Sequence, residues 1–406
     1  MKKITNTIFS LLLISGAITA QTDRCGTMES HSFMLANDSE YAIKREQIRE
    51  QTNQFVESYN PLSASRALVT IPVVFHVVYQ NATENISDAQ LLSQIQVLND
   101  DFRKLNSNFS QTPSVFQGVA ADMEFEFCLA SIDPQGNATN GITRTQTTTN
   151  SFNTNNNVKR DNNGGKSPWN TAKYLNIWVC DLGSSLLGYA QFPGGNPNTD
   201  GVVITYTSVG KPPANPFNNA YNLGRTATHE VGHWLNLYHI WGDDDGACNG
   251  TDEVSDTPNQ GDSNGGCPNF PRISCNNGPN GDMFMNYMDY MDDDCATMFT
   301  NGQKARAQAL FGAGGVRVGL LTSNACANQP EPPVNGACAD TVRYPFVGTP
   351  VVYGDETTGY VGGTNIYDDK AKADKFTVSG SYNILTNAWF GFSFADAGNV
   401  SNHQVT

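Results

Sequence analysis

The sequence predicts an α/β fold. A twisted mixed sheet carries a histidine-bearing helix, an irregular lower subdomain follows, and a partial all-β module closes the chain. Three observations predict this. Runs of β-branched and aromatic residues, such as Ile71–Tyr79 and Val202–Tyr206, come before a helical stretch that opens near Arg225. The segment after His239 is rich in Gly and Asn and holds four cysteines, so it has little apolar core of its own. From Cys338 onward, short aromatic and β-branched runs alternate with Gly and Asp turns.

The chain has 406 residues, enough for two or three domains. Its net charge of −15 excludes a nucleic-acid binder, because phosphate contacts need clustered Lys and Arg. Lys2 and Lys3 precede an apolar run from Ile8 to Ile18, and Ala20 is a small residue at a cleavage point. Residues 1–20 therefore read as a secretory signal peptide, and the protein as exported. No run reaches the roughly 18 apolar residues of a membrane span.

Residues 21–65 are polar and read as a propeptide, with Asp23-Arg24-Cys25-Gly26-Thr27 followed by a helix from about Glu40 to Tyr59. A domain at 66–322 follows. Ile71–Tyr79 reads as a buried strand, and His76 within it as a core or sheet-face residue. Ser87 and Gln90 form a capping-box pattern, followed by Leu91, Ile95, Leu98 and Phe102 at helical spacing. Met123–Ala130 and Tyr174–Cys180 read as strands, and the Asn- and Thr-rich stretch 137–165 as surface loop. Leu187–Pro193 is a short strand ending in breakers. Thr300 and Gln303 form a second capping-box pattern, opening a helix that ends near Gly312. Residues 323–337 read as a linker and 338–406 as a β-sandwich-like module, cut short, suited to surface or matrix contact. Cys326 and Cys338 flank the linker and are expected to pair. The state of Cys128 and Cys180 stays open.

The chemistry concentrates in His229-Glu230-Val231-Gly232-His233-Trp234-Leu235-Asn236-Leu237-Tyr238-His239. His229 and His233 share one face of a helix and can bind one zinc ion. Glu230 sits where a carboxylate can act as general base beside the metal without ligating it. His239 reaches the same ion only if the helix breaks first. Asn236 is the predicted break, because Asn tolerates the left-handed conformation. Cys25 can offer a thiolate to the same metal. Cys248, Cys267, Cys275 and Cys295 imply two disulfides, with three connectivities open. Asp243, Asp244, Asp245, Asp252, Glu253, Asp256 and Thr257 cluster oxygens of the kind calcium takes.

This pattern resembles the metzincin metalloproteases, whose motif is H-E-x-x-H-x-x-G-x-x-H followed by a Met-turn. Asn286-Tyr287-Met288-Asp289-Tyr290 looks like that turn, and Asn236 stands where the family has Gly. The wording around both motifs is most similar to the pappalysin branch. The resemblance implies a zinc endopeptidase acting on proteins or peptides and made as a zymogen. In it Cys25 would be a cysteine switch, Met288 an apolar floor under the metal, and Tyr290 a donor to the reacting oxyanion. It favours the pairs Cys248–Cys275 and Cys267–Cys295, and calcium held by Asp252, Asp256 and Thr257. It also places the segment after the Met-turn beside the S1′ pocket. There Asp294 would pair with a basic P1′ residue, and the precursor would be cut at Ser65–Arg66. Two other classes remain in view: an adhesion protein with a vestigial protease domain, and a convergent metal-dependent amidase.

Overall fold

The computed structural model describes residues 24–59, 68–183, 185–244 and 246–327. The chain divides into two compact units, 1–330 and 331–406, and all described residues belong to the first. The expected signal peptide, the Ser65–Arg66 bond and the β module lie outside the described residues.

The sheet is built around β1 (Val69–Tyr79), which pairs in parallel with β2 (Phe125–Leu129), β3 (Ile142–Gln146) and β4 (Leu175–Cys180). Eleven residues let β1 hold β2 along Val69–Val73 and β3 along Phe75–Tyr79. Beyond β4 lies β6 (Val202–Thr205), and the short β5 (Gly188–Ala190) closes that edge antiparallel to β6. The mixed sheet is therefore as expected, with one addition. The stretch expected to be loop contains β3, whose side chains are at most half-buried. A strand that gains its place through backbone pairing to β1 needs no apolar pattern, so periodicity could not reveal it.

Alternation along β1 sends Val73, Phe75 and Val77 into the main core. There they join Leu91, Leu98 and Phe102 of α3 (Asp88–Phe102) and Ala227, Val231 and Trp234 of α5 (Arg225–Trp234). Val78 packs on the other face with Trp178, Tyr189 and Val203. His76 faces that side as well. Its ring nitrogens bond Thr143 Oγ1 at 2.7 Å and Asn176 Oδ1 at 2.9 Å, and burial holds it neutral with a pKa of about 4. It is a sheet-face histidine, remote in role from the other three.

Ser87 caps α3 by accepting from Gln90 N, but the reciprocal half of the box is absent. The Gln90 amide instead donates to Val209 O at 2.9 Å. A single turn, α4 (Ser114–Gln117), follows. The second box is complete: Thr300 and Gln303 cap each other at the start of α6 (Asn301–Gln308). The N-terminal segment, expected to be a propeptide, forms α1 (Thr27–Asn37) and α2 (Ser39–Ser58), and Gln51 of α2 reaches Ala309 O beyond α6.

Cys248 pairs with Cys275 and Cys267 with Cys295, the connectivity that the resemblance implies. Cys326 pairs with Cys128, not with Cys338. The structure thus ties the chain at 326 back to the β2 edge of the sheet, and the linker pairing is corrected. Cys180 is free and buried.

Candidate active site

Helix α5 starts at Gly224, whose φ of 83° suits a residue without a side chain. Its first amides are satisfied from afar: Asp293 Oδ2 accepts from Leu223 N and Arg225 N. The helix ends as the sequence predicts. Asn236 takes φ 76°, its N–H bonds His233 O, and Leu237 N bonds Gly232 O at 3.0 Å. Those two bonds make a Schellman motif, in which Asn serves nearly as well as Gly. The chain then turns sharply and returns His239 to the helix.

The three histidines converge. Their Nε2 atoms stand 3.1–3.2 Å apart in all three pairs. Tetrahedral ligands about 2.0–2.1 Å from zinc lie roughly 3.3–3.4 Å from each other, so the donor set fits one ion. The opposite nitrogens are all engaged. His229 Nδ1 bonds Tyr287 O at 2.8 Å, His233 Nδ1 bonds Leu237 O at 2.7 Å, and His239 Nδ1 meets Asp243 Oδ1 at 2.7 Å. Such partners fix the tautomer and leave Nε2 free for a metal. Burial also lowers the pKa of His229 to about 3 and that of His233 well below the usual value, favouring the neutral ligand form.

Cys25 completes the group. Its Sγ and the three imidazoles offer ligand atoms all within 4.8 Å of one another. Burial, then the neighbouring Glu230 carboxylate, raises the thiol's pKa. A cation among the histidines reverses that balance. Gly26 is confined: a Cβ there would stand 2.5 Å from Thr154 Cγ2. Glu230 Oε2 accepts from Thr27 Oγ1 at 2.8 Å, and Thr27 Oγ1 accepts from Ala190 N of β5. Burial pushes Glu230 up to about 7, opposed by its hydrogen bonds to Cys25 and Thr27.

Met288 lies beneath the site. A Cβ on Gly232 would come 2.4 Å from its sulfur, so the helix rests directly on the Met-turn. The Tyr290 ring stands 4.9 Å from that of His239 and 5.7 Å from that of His229. A pocket beside Glu230 is lined by Leu187, Tyr221, Tyr290, Asp289, Asp293 and Arg24. Arg24 reaches into it from the N-terminal segment, its guanidinium 4.7 Å from the Tyr221 ring and 3.4 Å from Tyr290 O.

Two expected placements change. Asp294 is exposed and outside this pocket, its Oδ1 3.4 Å from Cys267 Sγ. The backbone turns between 293 and 294, so Asp293 faces inward instead. Asp243 Oδ1 serves His239, and Asp244 Oδ2 holds the amides of Asn249 and Gly250. Asp252 is buried and accepts from Thr257 Oγ1 at 2.9 Å, while Asp256 faces α6, accepting from Thr300 Oγ1 and Gly302 N. Thr27, Arg24, Asp243 and Asp293 are the residues that sequence reasoning did not assign to the site. Only Asp243, four residues after His239, left a signal in the spacing.

Comparison with known proteins agrees with this geometry. Residues 153–311 match the peptidase family described as pregnancy-associated plasma protein-A. An extracellular metalloprotease of Arthroderma gypseum is 33% identical over 311 residues, covering 74% of this chain and 88% of that protein. One of Pyricularia oryzae is 32% identical, covering 75% and 94%. Mature mirolysin of Tannerella forsythia, solved with a cleaved peptide, is 53% identical with a TM-score of 0.63, covering 66% of this chain and all of that one. A mutant of its precursor, promirolysin, is 49% identical with a TM-score of 0.67, covering 73% and 97%. With three convergent imidazoles, a Met-turn under them and relatives of this similarity over most of their own length, the chain belongs to the pappalysin family of metalloproteases.

Proposed function

We propose that the protein is an exported zinc endopeptidase, held silent by its own N-terminal segment. The observation that carries this reading is the spacing of the His229, His233 and His239 Nε2 atoms with the Glu230 carboxylate beside them. The proposed organisation is a signal peptide at 1–20, a propeptide at 21–65, the catalytic domain at 66–322, a linker and a C-terminal β module. Export follows the extracellular naming of the relatives.

His229, His233 and His239 would hold the zinc, with Cys25 added in the precursor. When bound, the ion polarises the scissile carbonyl and acidifies water. Glu230 takes the proton from the attacking water and passes it to the leaving amine. The Tyr290 hydroxyl donates to the developing oxyanion. Peptide adds along β5, whose outer edge the Arg24–Gly26 segment occupies in the precursor: Cys25 bridges Gly188, and Gly26 N donates to Gly188 O at 3.0 Å. Casein hydrolysis by the matured protein, lost on zinc chelation and restored by zinc, tests the reading. Hydrolysis indifferent to the chelator would refute it.

The pocket lined by Asp289 and Asp293 would be S1′, selecting a basic P1′ residue, with Arg24 as the resident occupant. Burial pushes Asp293 up to about 7, and an entering guanidinium favours its charged form. Autolysis at Ser65–Arg66 then follows, leaving Arg66 as the new N-terminus. A peptide library should show cleavage before Arg and Lys. The preference should fall about tenfold in Asp293→Asn, the scale of one charge-assisted hydrogen bond. It should persist in Asp294→Ala, and apolar P1′ preference in wild type removes the acid pocket from the argument.

The acidic loop is proposed to bind calcium through Asp252 and Thr257, with Asp256 nearby in sequence. Asp252 is buried, and burial pushes it up to about 7, so a bound cation would favour its charged form. Calcium removal at fixed zinc should lower Tm by several degrees, because a ligand held only by the folded state stabilises it. Superimposable melting curves with and without calcium exclude the site.

A further inference from the structure

The strongest feature left unused by this mechanism is the seat of Arg45, on α2. Its side chain is buried, yet among the described residues no carboxylate lies within ion-pair distance of it. Its Nη1 donates to Pro193 O at 3.1 Å. Its Nη2 donates to Asn236 Oδ1 and to Tyr238 OH, both at 2.8 Å. The guanidinium carbon sits 5.0 Å from the Phe192 ring centre and 6.0 Å from that of Tyr238. All three acceptors and both rings come from the catalytic domain.

One further bond ties the seat to α2, from Asn236 Nδ2 to Thr52 Oγ1 at 3.3 Å, and the rest of its support comes from outside α2. Asn236 is locked by its left-handed turn, and Arg306 Nε donates to its carbonyl at 2.7 Å. The Arg306 guanidinium also stands 4.9 Å from the Tyr238 ring. Phe192 packs against His233 with ring centres 5.4 Å apart. We propose that these residues form an arginine subsite of the catalytic domain. It is filled by Arg45 in the precursor and takes an arginine of the substrate, N-terminal to the cleaved bond, in the mature enzyme.

The chemistry selects arginine. Acceptors at both ends of a planar fork, with aromatic rings around it, match a guanidinium and not a compact ammonium. The acceptors are neutral. A buried cation without a counter-ion is held less firmly than an ion pair, which suits an occupant that must leave. The position follows from the proposed protease reading, on which this inference rests. Leu187, just before β5, lines the pocket assigned to P1′. Phe192 and Pro193 lie past the other end of β5, so substrate residues before the scissile bond extend towards them. Five residues of strand span roughly 16 Å, which places the arginine around P3 to P5.

The test uses peptides with Arg fixed at P1′ and a second Arg moved from P2 to P6 through an alanine background, cut by the matured enzyme. At one position kcat/KM should rise about tenfold over alanine, the scale of a charge-assisted hydrogen-bonded side chain. Lysine at the same position should give about twofold or less. The Arg-to-Ala ratio should approach one in Tyr238→Phe and in Asn236→Gly, the latter keeping the left-handed turn. A flat wild-type profile, or an advantage that survives both variants, overturns the subsite. Because every peptide carries the P1′ arginine, a flat profile with cleavage intact leaves the protease reading standing.

Discussion

Replacing Glu230 by Gln is expected to lower casein hydrolysis by the matured protein about 10²–10⁴-fold, the range of general acid–base catalysis. The substitution keeps the shape of the side chain and removes its capacity to take a proton. Glu230 is fully buried beside the histidine cluster, and among the described residues its hydrogen-bond partners from outside α5, Cys25 and Thr27, belong to the N-terminal segment. On the proposed maturation they would leave with that segment, and the carboxylate would face the cleft. Zinc content and Tm should stay at wild-type values, since no ligand is touched. A variant that keeps activity within tenfold of wild type, with zinc bound, would remove Glu230 from the mechanism.

Cys25→Ala is expected to make the precursor mature about tenfold faster or more, the consequence of losing about 1.4 kcal/mol of holding energy. Among the described residues the thiol is the N-terminal segment's one contribution to the ligand group, and its loss would open that position to water. Latency should weaken without vanishing, because Arg24 still fills the pocket and Arg45 still grips Asn236 and Tyr238. The readout is the time course of precursor loss on a gel at fixed zinc. A variant precursor as slow to mature as wild type would show that Cys25 is no switch.

The sequence by itself determined the chemistry, because that chemistry is local. Two histidines four apart on a helix, a carboxylate beside the first and an asparagine able to turn left-handed are short-range facts, and the Schellman turn at Asn236 followed from them. Strands β1, β4 and β6 were equally legible, since burial on both faces demands nearly continuous apolar runs, and β2 through its alternation of buried and half-buried residues. Strand β3 was not, because its place depends on backbone pairing that leaves no pattern in side chains.

What only the tertiary structure decided was partnership over long sequence separations. Cys326 found Cys128 rather than Cys338, 198 residues away. Asp293, not Asp294, turned into the pocket, held by its N–H to Ala220 O and by the Leu223 and Arg225 amides that its carboxylate accepts from. Gln90 left its capping box for Val209 O. Arg45 reached across 191 residues to Asn236, and Arg24 entered a pocket built from the far end of the domain. Spacing can place two ligands on one helical face, but long-range contacts depend on how whole elements pack, and no local pattern encodes that.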